Sequence, residues 1–264
     1  MLRSLYSGIS GMKNFQTKLD AIGNNIANVN TYGYKKSRVT FKDAISQTSS
    51  GATGPQAGIG GTNAVQVGLG SKVGSIDTID TQGSFETTGR VLDLAISGDG
   101  YFEVTDGNQN YYTRAGNFYL DADNNLVNSD GYKVLDSSGN AINLSDLDGK
   151  SFDVGTDGSI NYTDANGNPA TLNQKIAIAT FANPSGLTKE GGNLYSESVN
   201  SGAPNTTAAS NNQGTINSGY LEMSNVDLSD ELTNMIVAER GFQSNTRIIT
   251  TSDEILQELV NLKR

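Results

Sequence analysis

The 264-residue sequence contains no histidine and no cysteine. Without cysteine there is no disulfide framework, and without both residues the usual zinc ligands are missing. The same absences exclude the Ser-His-Asp and Cys-His nucleophile pairs of many enzymes. Charged residues make up only 17% of the chain. The composition therefore excludes two common types of catalytic site, and it shows that the fold does not depend on disulfide bonds.

Long apolar runs are missing as well. No stretch approaches the roughly 20 apolar residues that a membrane-spanning helix requires. Polar residues interrupt the first 30 residues, so the continuous apolar segment of a secretory signal peptide is absent there. We therefore expect a soluble chain without membrane insertion, and one that is not exported through a cleaved signal.

Charge is distributed unevenly along the chain, whose formal net charge is -10. Residues 1–42 carry seven basic residues and one acidic residue, a net charge of +6. Residues 217–264 carry four basic and eight acidic residues, a net charge of -4. The middle of the chain is therefore strongly acidic, which argues against nucleic acid as a partner. The opposite charges of the two ends favour their approach only weakly, because salt screens surface charges.

Both ends of the chain show apolar side chains at a spacing of seven residues, which is typical of helices that pack on other helices. We call these nine residues the seam. They are Leu5, Met12, Leu19 and Ile26 in the N-terminal segment, and Leu228, Met235, Phe242, Ile249 and Leu256 in the C-terminal segment.

The C-terminal helix has the clearer boundaries. Ser229 and the two acidic residues after it mark its start, and Lys263 and Arg264 mark its end, because these charges suit the helix dipole. The N-terminal helix is expected to be marginal, since three glycines each cost about 1 kcal/mol relative to alanine. These are Gly8, Gly11 and Gly23.

Periodicity alone leaves two kinds of partner open for these helices. They could pack on one globular core, as most amphipathic helices do, or on helices of further copies of the chain. Strict seven-residue spacing and the position of both helices at the chain ends favour helix partners. Because an interrupted helix pair would be marginal alone, we expect further copies to complete its burial. The seam is therefore predicted to be a subunit interface.

Between the helices the sequence is rich in glycine, aspartate and asparagine. Residues 31–72 are typical of an extended linker, residues 73–198 of one central antiparallel β domain, and residues 199–224 of a polar return linker. Residues 1–30 and 225–264 then form a discontinuous, coiled-coil-like helical domain, which predicts an α+β fold. Turn signals separate the short runs of the β domain. They are Asp106-Gly107, Ser138-Gly139, Asp157-Gly158 and Asn166-Gly167.

One acidic run imitates the start of a calcium loop. Asp121, Asp123 and Asn125 place oxygen ligands at alternate positions. Leu126, however, stands where the loop needs its turning glycine, and Tyr132 stands where the bidentate glutamate belongs. The run is therefore interpreted as a turn, and no metal ion or cofactor is predicted.

The β domain also has the features that a glycan-acting enzyme would need, namely many carboxylates and a group of aromatic side chains. An aspartate next to a glycine more often forms a turn than a catalytic site. Aromatic residues in strands usually pack in the core or pair across neighbouring strands. The prediction is that the protein is not an enzyme. The aromatic group consists of Tyr101, Phe102, Tyr111, Tyr112, Phe118 and Tyr119.

Several strings of the sequence resemble signatures of the flagellar axial family of rod, hook and hook-associated proteins. IGNNIAN and TYGYK within residues 22–35 resemble its N-terminal signature, and SNVDL and MIVAERGFQ within residues 224–243 resemble its C-terminal signature. LDLAISGDGYF and YTRAGNF within residues 92–118 resemble its shared β domain. The residues taken as the family signature are Asn24, Asn25, Asn28, Tyr32, Gly33, Ser224, Asn225, Val226, Asp227 and Arg240.

The resemblance implies a structural subunit that polymerises with copies of itself into a tube. It further implies export without a cleaved signal by the flagellar type III export apparatus, so that the subunit lies outside the cell in the hook or basal body. The implied partners are rod, hook cap and hook-filament junction proteins. An extracellular adhesin with trimerising stalks is the competing class, and it would form a fixed oligomer rather than an open-ended polymer.

Within the family, two features of the chain point in different directions. The strings at residues 31–33, 68–73 and 224–238 look more like a hook protein, which forms a bendable coupling that passes torque to the filament. The length of the chain looks more like a distal rod protein, because many hook proteins carry an additional outer β domain. The sequence interpretation favours the hook, with the distal rod as the alternative.

Overall fold

The computed structural model describes residues 2–55, 60–145, 151–164, 168–209 and 214–262. The chain divides into two compact units. The first unit comprises Met1–Ala27, Ser37–Thr78 and Asp227–Arg264, and the second comprises Asn28–Lys36 and Ile79–Val226. The first unit contains both long helices and the second is built of antiparallel strands, which confirms the predicted α+β fold.

The two helices belong to the first unit. Helix α1 spans Leu2–Ala27 and helix α2 spans Leu228–Leu262. The Asp227 carboxylate caps α2, because its Oδ1 accepts the backbone N–H of Ser229 at 2.8 Å. Ser229 therefore lies inside the first turn instead of preceding the helix. In the described part of the chain, no helix combines the length and the apolar character needed to cross a membrane.

Two β ribbons accompany the helices in the first unit. Strands β1 (Ser37–Asp43) and β4 (Ser71–Thr78) pair antiparallel, and so do β2 (Ser46–Ser50) and β3 (Val65–Gly68). Every residue of β2 and β3 is exposed. The prediction of an extended linker over residues 31–72 was therefore wrong for much of that range. Cross-strand backbone pairing orders a segment whose polar composition had suggested a flexible chain.

The second unit consists of short strands. Their bounds are β5 (Phe85–Thr87), β6 (Leu94–Ser97), β7 (Tyr101–Thr105), β8 (Asn110–Thr113), β9 (Tyr119–Leu120), β10 (Leu126–Val127), β11 (Lys133–Val134), β12 (Phe152–Val154), β13 (Ser159–Thr163), β14 (Pro169–Lys175), β15 (Ala177–Thr180), β16 (Thr188–Gly191), β17 (Leu194–Ser196), β18 (Asn205–Ala208), β19 (Thr215–Ser218) and β20 (Tyr220–Glu222). A short 3-10 helix, Pro184–Gly186, lies between β15 and β16.

The strands of the second unit form one large sheet and several small ones. The large sheet has the order β16-β17-β8-β7-β11-β10-β9, and β15 pairs with both β7 and β18. Strands β12, β13 and β14 form a three-stranded sheet, while β6 pairs with β19 and β5 with β20. The strand pairs in the described residues are all antiparallel, as the short runs and turn signals predicted.

The core of the second unit is apolar and aromatic. Phe102 and Phe118 are fully buried and meet edge to face, with ring centroids 5.1 Å apart. Tyr101 and Tyr112 are also buried. Most of the aromatic group is therefore core, as the sequence indicated. Other buried members include Leu94, Ile96, Val104, Leu126, Val134, Ile142, Ile160, Ile176, Ile178 and Ile216.

The boundaries of the units differ from those expected from composition. Residues 199–224 were predicted to form a return linker, yet β18, β19 and β20 fall in this range and belong to the second unit. Residues 28–36 also belong to that unit, although they follow α1 directly. The predicted helix-end residues Lys263 and Arg264 and the turn signal Asn166-Gly167 lie outside the described residues.

Candidate functional site

The candidate functional surface begins with the antiparallel contact between α1 and α2. Asn245 lies against Gly11, and Phe15 lies against Gly241. A β-carbon built on Gly11 would lie 2.8 Å from Asn245 Oδ1, and one built on Gly241 would lie 2.5 Å from Phe15 Cζ. These glycines let two helices approach closely. Helix propensity alone had suggested only that glycine weakens the first helix.

Alanine at two helical glycines should have opposite effects on stability. Gly241→Ala should destabilise the helix pair by about 1–3 kcal/mol, because the new methyl group overlaps the Phe15 ring. Gly23→Ala should stabilise it by about 1 kcal/mol, because nothing lies within 4 Å of the added β-carbon. Thermal unfolding followed by far-ultraviolet circular dichroism measures both changes. Equal changes in the two variants would show that propensity, and not close packing, sets the role of these glycines.

The seam is partly used within one chain. Its residues are half-buried in both helices, except for Leu228, which is exposed. Ile249 is the residue that meets Gly8 of α1, and Thr246 donates a hydrogen bond to the sulfur of Met12 at 3.3 Å. The two helices therefore pair in the isolated chain, and their seam is not wholly available to further copies.

A second apolar line on α2 is exposed over about half of each side chain or more, and we call it the outer stripe. It consists of Ile248, Ile255, Leu259 and Leu262, which are spaced seven, four and three residues apart and so share one helix face. Their exposed fractions are 42%, 49%, 48% and 83%. Contiguous exposed apolar surface of this kind marks an interaction site.

The helix register explains part of this exposure. Because Gly8 lies opposite Ile249, the six residues from Leu2 to Ser7 reach no further along α2 than about residue 255. Residues 256–262 therefore extend past the beginning of α1. Charge does not hold the two helices together, because none of the ion pairs in the described residues joins α1 to α2.

A buried ionic cluster lies inside the second unit. Glu222 Oε1 is 2.7 Å from Lys35 Nζ, and Glu222 Oε2 is 3.2 Å from Arg114 Nη1. The three side chains are at most 2% exposed. Glu222 Oε1 also accepts the backbone N–H of Gly83 at 2.9 Å. The cluster thus joins three distant parts of the sequence around one carboxylate.

The surroundings of this cluster determine its electrostatics. Asp80 Oδ1 lies 3.9 Å from Lys35 Nζ, and Asp80 Oδ2 accepts the hydroxyl of Tyr101 at 2.7 Å. Burial lowers the pKa of Lys35, and the positive charge of Arg114 lowers it further, while Glu222 opposes both effects. Burial also raises the pKa of Tyr101, and the Asp80 carboxylate adds to that shift.

Two asparagines of the family signature form hydrogen bonds with backbone groups, one asparagine in each unit. In the first unit, buried Asn25 accepts the N–H of Ser37 at 2.9 Å and donates to its carbonyl at 2.9 Å. In the second unit, Asn225 Oδ1 accepts the N–H of Lys36 at 2.8 Å, and its Nδ2 donates to the carbonyl of Ile79 at 2.8 Å. An amide side chain suits this role because it both donates and accepts hydrogen bonds.

Gly33 is the signature residue with the strictest backbone requirement. Its φ of +68° lies in the left-handed region, and a β-carbon there would lie 2.5 Å from Ala115 N. Tyr32 donates its hydroxyl to Glu86 at 3.1 Å. Of the remaining signature residues, Asn24 and Arg240 are exposed, Asp227 caps α2, and Asn28, Ser224 and Val226 are half-buried.

The calcium-like run forms a turn. Asp121 Oδ1 accepts the backbone N–H groups of Asp123 and Asn125 at 2.9 and 2.7 Å. Hydrogen bonds from Asn125 lower the pKa of Asp121. In the part of the chain that the structure describes, no three acidic side chains are grouped so that they could hold a metal ion. The geometry therefore points to packing surfaces and structural polar networks.

Three family models match the chain. The model described as "Flagella basal body rod protein" matches residues 5–35, and "Flagellar hook protein FlgE/F/G D1 domain" matches residues 95–162. The model described as "Flagellar basal body rod FlgEFG protein C-terminal" matches residues 217–262. The matches follow the order of the signatures along the sequence.

Curated relatives extend these matches over the whole chain. The chain is 62% identical to "Flagellar basal-body rod protein FlgG" of Bacillus subtilis over 270 aligned residues, with 100% of both chains covered. The chain belongs to the flagellar rod and hook protein family. Two proteins of Borreliella burgdorferi are also covered fully: FlgG at 38% identity over 272 residues, and the hook protein FlgE at 31% over 441. The family resemblance drawn from the sequence is confirmed.

Some structurally important residues of this flagellar rod and hook protein escaped sequence reasoning. Lys35 and Arg114 occur in the strings TYGYK and YTRAGNF that carried the resemblance, but neither was singled out. Glu222 lies just before the C-terminal signature, and no motif or periodic pattern in the sequence identified it. Burial of an ion pair between residues this far apart depends on the tertiary fold, so periodicity and spacing could not reveal it.

Proposed function

We propose that this protein is a distal rod subunit of the flagellar basal body. The observation that supports the proposal most is the 62% identity to a basal-body rod protein over the full length of both chains. The hook had been favoured on short sequence strings. The hook relative FlgE of Borreliella burgdorferi is less similar, and its alignment runs over 441 positions, so it contains long segments without a counterpart here. Overall similarity therefore favours the rod.

The proposed mechanism is helical self-assembly through the terminal helices. Within a subunit, α1 and α2 pair through part of the seam. Between subunits, the outer stripe and the exposed remainder of the seam, including Leu228, would pack on further copies. Burying four large apolar side chains of the stripe supplies a favourable free energy of several kcal/mol per contact, at about 25 cal/mol per Å². The proposal thus assigns part of the seam to contacts within a subunit and the outer stripe to contacts between subunits.

Export and localisation follow from the same proposal. The subunit would leave the cell through the flagellar type III export apparatus without a cleaved signal and polymerise in the basal body. Its neighbours would be other rod subunits. The hook cap and hook-filament junction proteins were expected as partners under the hook interpretation, and the rod proposal does not require them.

Electron microscopy of the concentrated full-length protein tests the proposal. We expect open-ended, straight tubes, because a rod is a rigid shaft, whereas a hook subunit forms curved tubes. Expression in a strain that lacks its own distal rod gene should restore motility, and a strain that lacks only its hook gene should stay non-motile. Curved tubes together with rescue of the hook deletion would overturn the rod proposal. A fixed small oligomer would overturn tube formation itself.

A further inference from the structure

The exposed side of α1 carries an apolar surface with a basic edge, and we call it the α1 face. It consists of Tyr6, Ile9 and Lys13, which are spaced three and four residues apart and so lie along one side of the helix. Tyr6 and Ile9 are 68% and 38% exposed, and Lys13 is exposed as well. Neither the family matches nor the proposed function assigns this surface a partner.

The α1 face lies on the side of the helix away from α2 of the same chain. The residues of α1 that contact α2 include Gly8, Gly11, Met12 and Phe15. Tyr6 lies two positions before Gly8. Lys13 lies two positions from Gly11 and two from Phe15. Two positions correspond to about 200° around an α-helix, so the α1 face stays open when the two helices pair within one chain.

The α1 face and the outer stripe lie in segments of opposite charge. Residues 1–19 contain three basic residues and no acidic one, whereas residues 248–262 contain three acidic residues and no basic one. Glu258 borders the outer stripe, because it follows Ile255 by three residues on the same helix. Among the residues that the structure describes, no ion pair involves Lys13 or Glu258. Both charges are therefore available to a second copy of the chain.

The symmetry of an open-ended polymer determines which surface can receive the outer stripe. Such a polymer needs two different surfaces on each subunit that fit each other. Two outer stripes packed on one another would instead form a closed pair, and they would bring the acidic ends of two α2 helices together. Like charges that face each other disfavour that contact. The α1 face differs from the stripe, is apolar and carries the opposite charge.

We propose that the outer stripe of one copy packs on the α1 face of a second copy, with Glu258 paired to Lys13 of the second copy. The inference rests on the proposed self-assembly and names the surface that receives the stripe. Tyr6 and Ile9 supply the apolar area of the contact, and a tyrosine suits an interface because its ring is large and rigid. The ion pair at the edge selects the partner and its orientation more than it adds affinity.

Charge reversal tests this interface in the full-length chain. Lys13→Glu and Glu258→Lys should each raise the critical concentration for tube formation roughly tenfold or more, because like charges then face each other in every contact. A chain with both reversals restores opposite charges and should polymerise near the parental critical concentration. Sedimentation of polymer from monomer measures these values. The effect of each single reversal should shrink at high salt, because salt screens the repulsion.

Lys133→Glu is the matched control for these variants. Lys133 is an exposed lysine on β11 of the second unit, and its reversal should leave the critical concentration unchanged. Every variant should keep the parental circular dichroism spectrum, since the altered positions are exposed. Parental tubes with equal critical concentrations for Lys13→Glu and Lys133→Glu, or a double reversal no better than the single ones, would overturn this interface alone. Absence of tubes from the parental chain would overturn the proposed self-assembly and the interface with it.

Discussion

Glu222→Ala is expected to destabilise the second unit by about 3–5 kcal/mol, because it leaves two buried cations without their shared carboxylate. Lys35 Nζ and Arg114 Nη1 lie 2.7 and 3.2 Å from Glu222 in the native chain, and Gly83 N–H also loses its acceptor. Urea unfolding followed by tyrosine fluorescence measures the change, since the chain contains no tryptophan. The loss is comparable to a large part of the stability of a small domain.

Glu86→Ala is the matched control for this prediction. Glu86 lies on β5, opposite Leu221 of β20. Its side chain is exposed, whereas that of Glu222 is buried. Its one described contact is the hydrogen bond from the Tyr32 hydroxyl, so the expected loss is about 1 kcal/mol or less. Glu222→Gln should fall between the two, because it keeps an acceptor but removes the charge. Similar losses for Glu222→Ala and Glu86→Ala would show that the buried cluster contributes little.

The sequence predicted the elements whose signal is local. Seven-residue spacing identified both helices, and alternation with Asp-Gly turns identified the antiparallel unit. The ribbons β1–β4 and β2–β3 were missed, because their apolar alternation is short, as at Val39 and Phe41, and the pairing depends on contacts between residues far apart. The unit boundaries were missed for the same reason. Residues 28–36 join the second unit through long-range bonds such as Lys35 to Glu222, which no local pattern encodes.

The candidate interface could be predicted only in part from the sequence. The seam residues were identified by spacing, but spacing cannot tell an intrachain partner from a neighbouring subunit. Gly11 and Gly241 decide this point in the structure, because their lack of a β-carbon lets α1 and α2 meet within one chain. Seven-residue spacing also links Ile248, Ile255 and Leu262 of the outer stripe, but spacing does not show whether these side chains are exposed. The register of the helix pair explains part of the exposure of the stripe, because Leu259 and Leu262 lie past the beginning of α1.

Ile255→Asp is expected to abolish tube formation while leaving both units folded. Ile255 is 49% exposed in the isolated chain, so an aspartate there remains solvated and costs the monomer little. In the proposed polymer the same position is buried against a further copy, where an unpaired carboxylate is strongly unfavourable. A loss of about 3 kcal/mol per contact raises the critical concentration by roughly a hundredfold. Sedimentation of polymer from monomer over a concentration series measures this value.

Thr250→Asp is the control that separates stripe burial from added charge. Thr250 is exposed on α2, and its position, five residues before Ile255, places it on a different helix face. It should polymerise at nearly the parental critical concentration, and both variants should show the parental circular dichroism spectrum and unfolding curve. If Ile255→Asp forms tubes as readily as Thr250→Asp, the outer stripe does not lie between subunits. The contacts would then have to come from the exposed seam residue Leu228 and its neighbours at the start of α2, because the rest of the seam is already half-buried in the single chain.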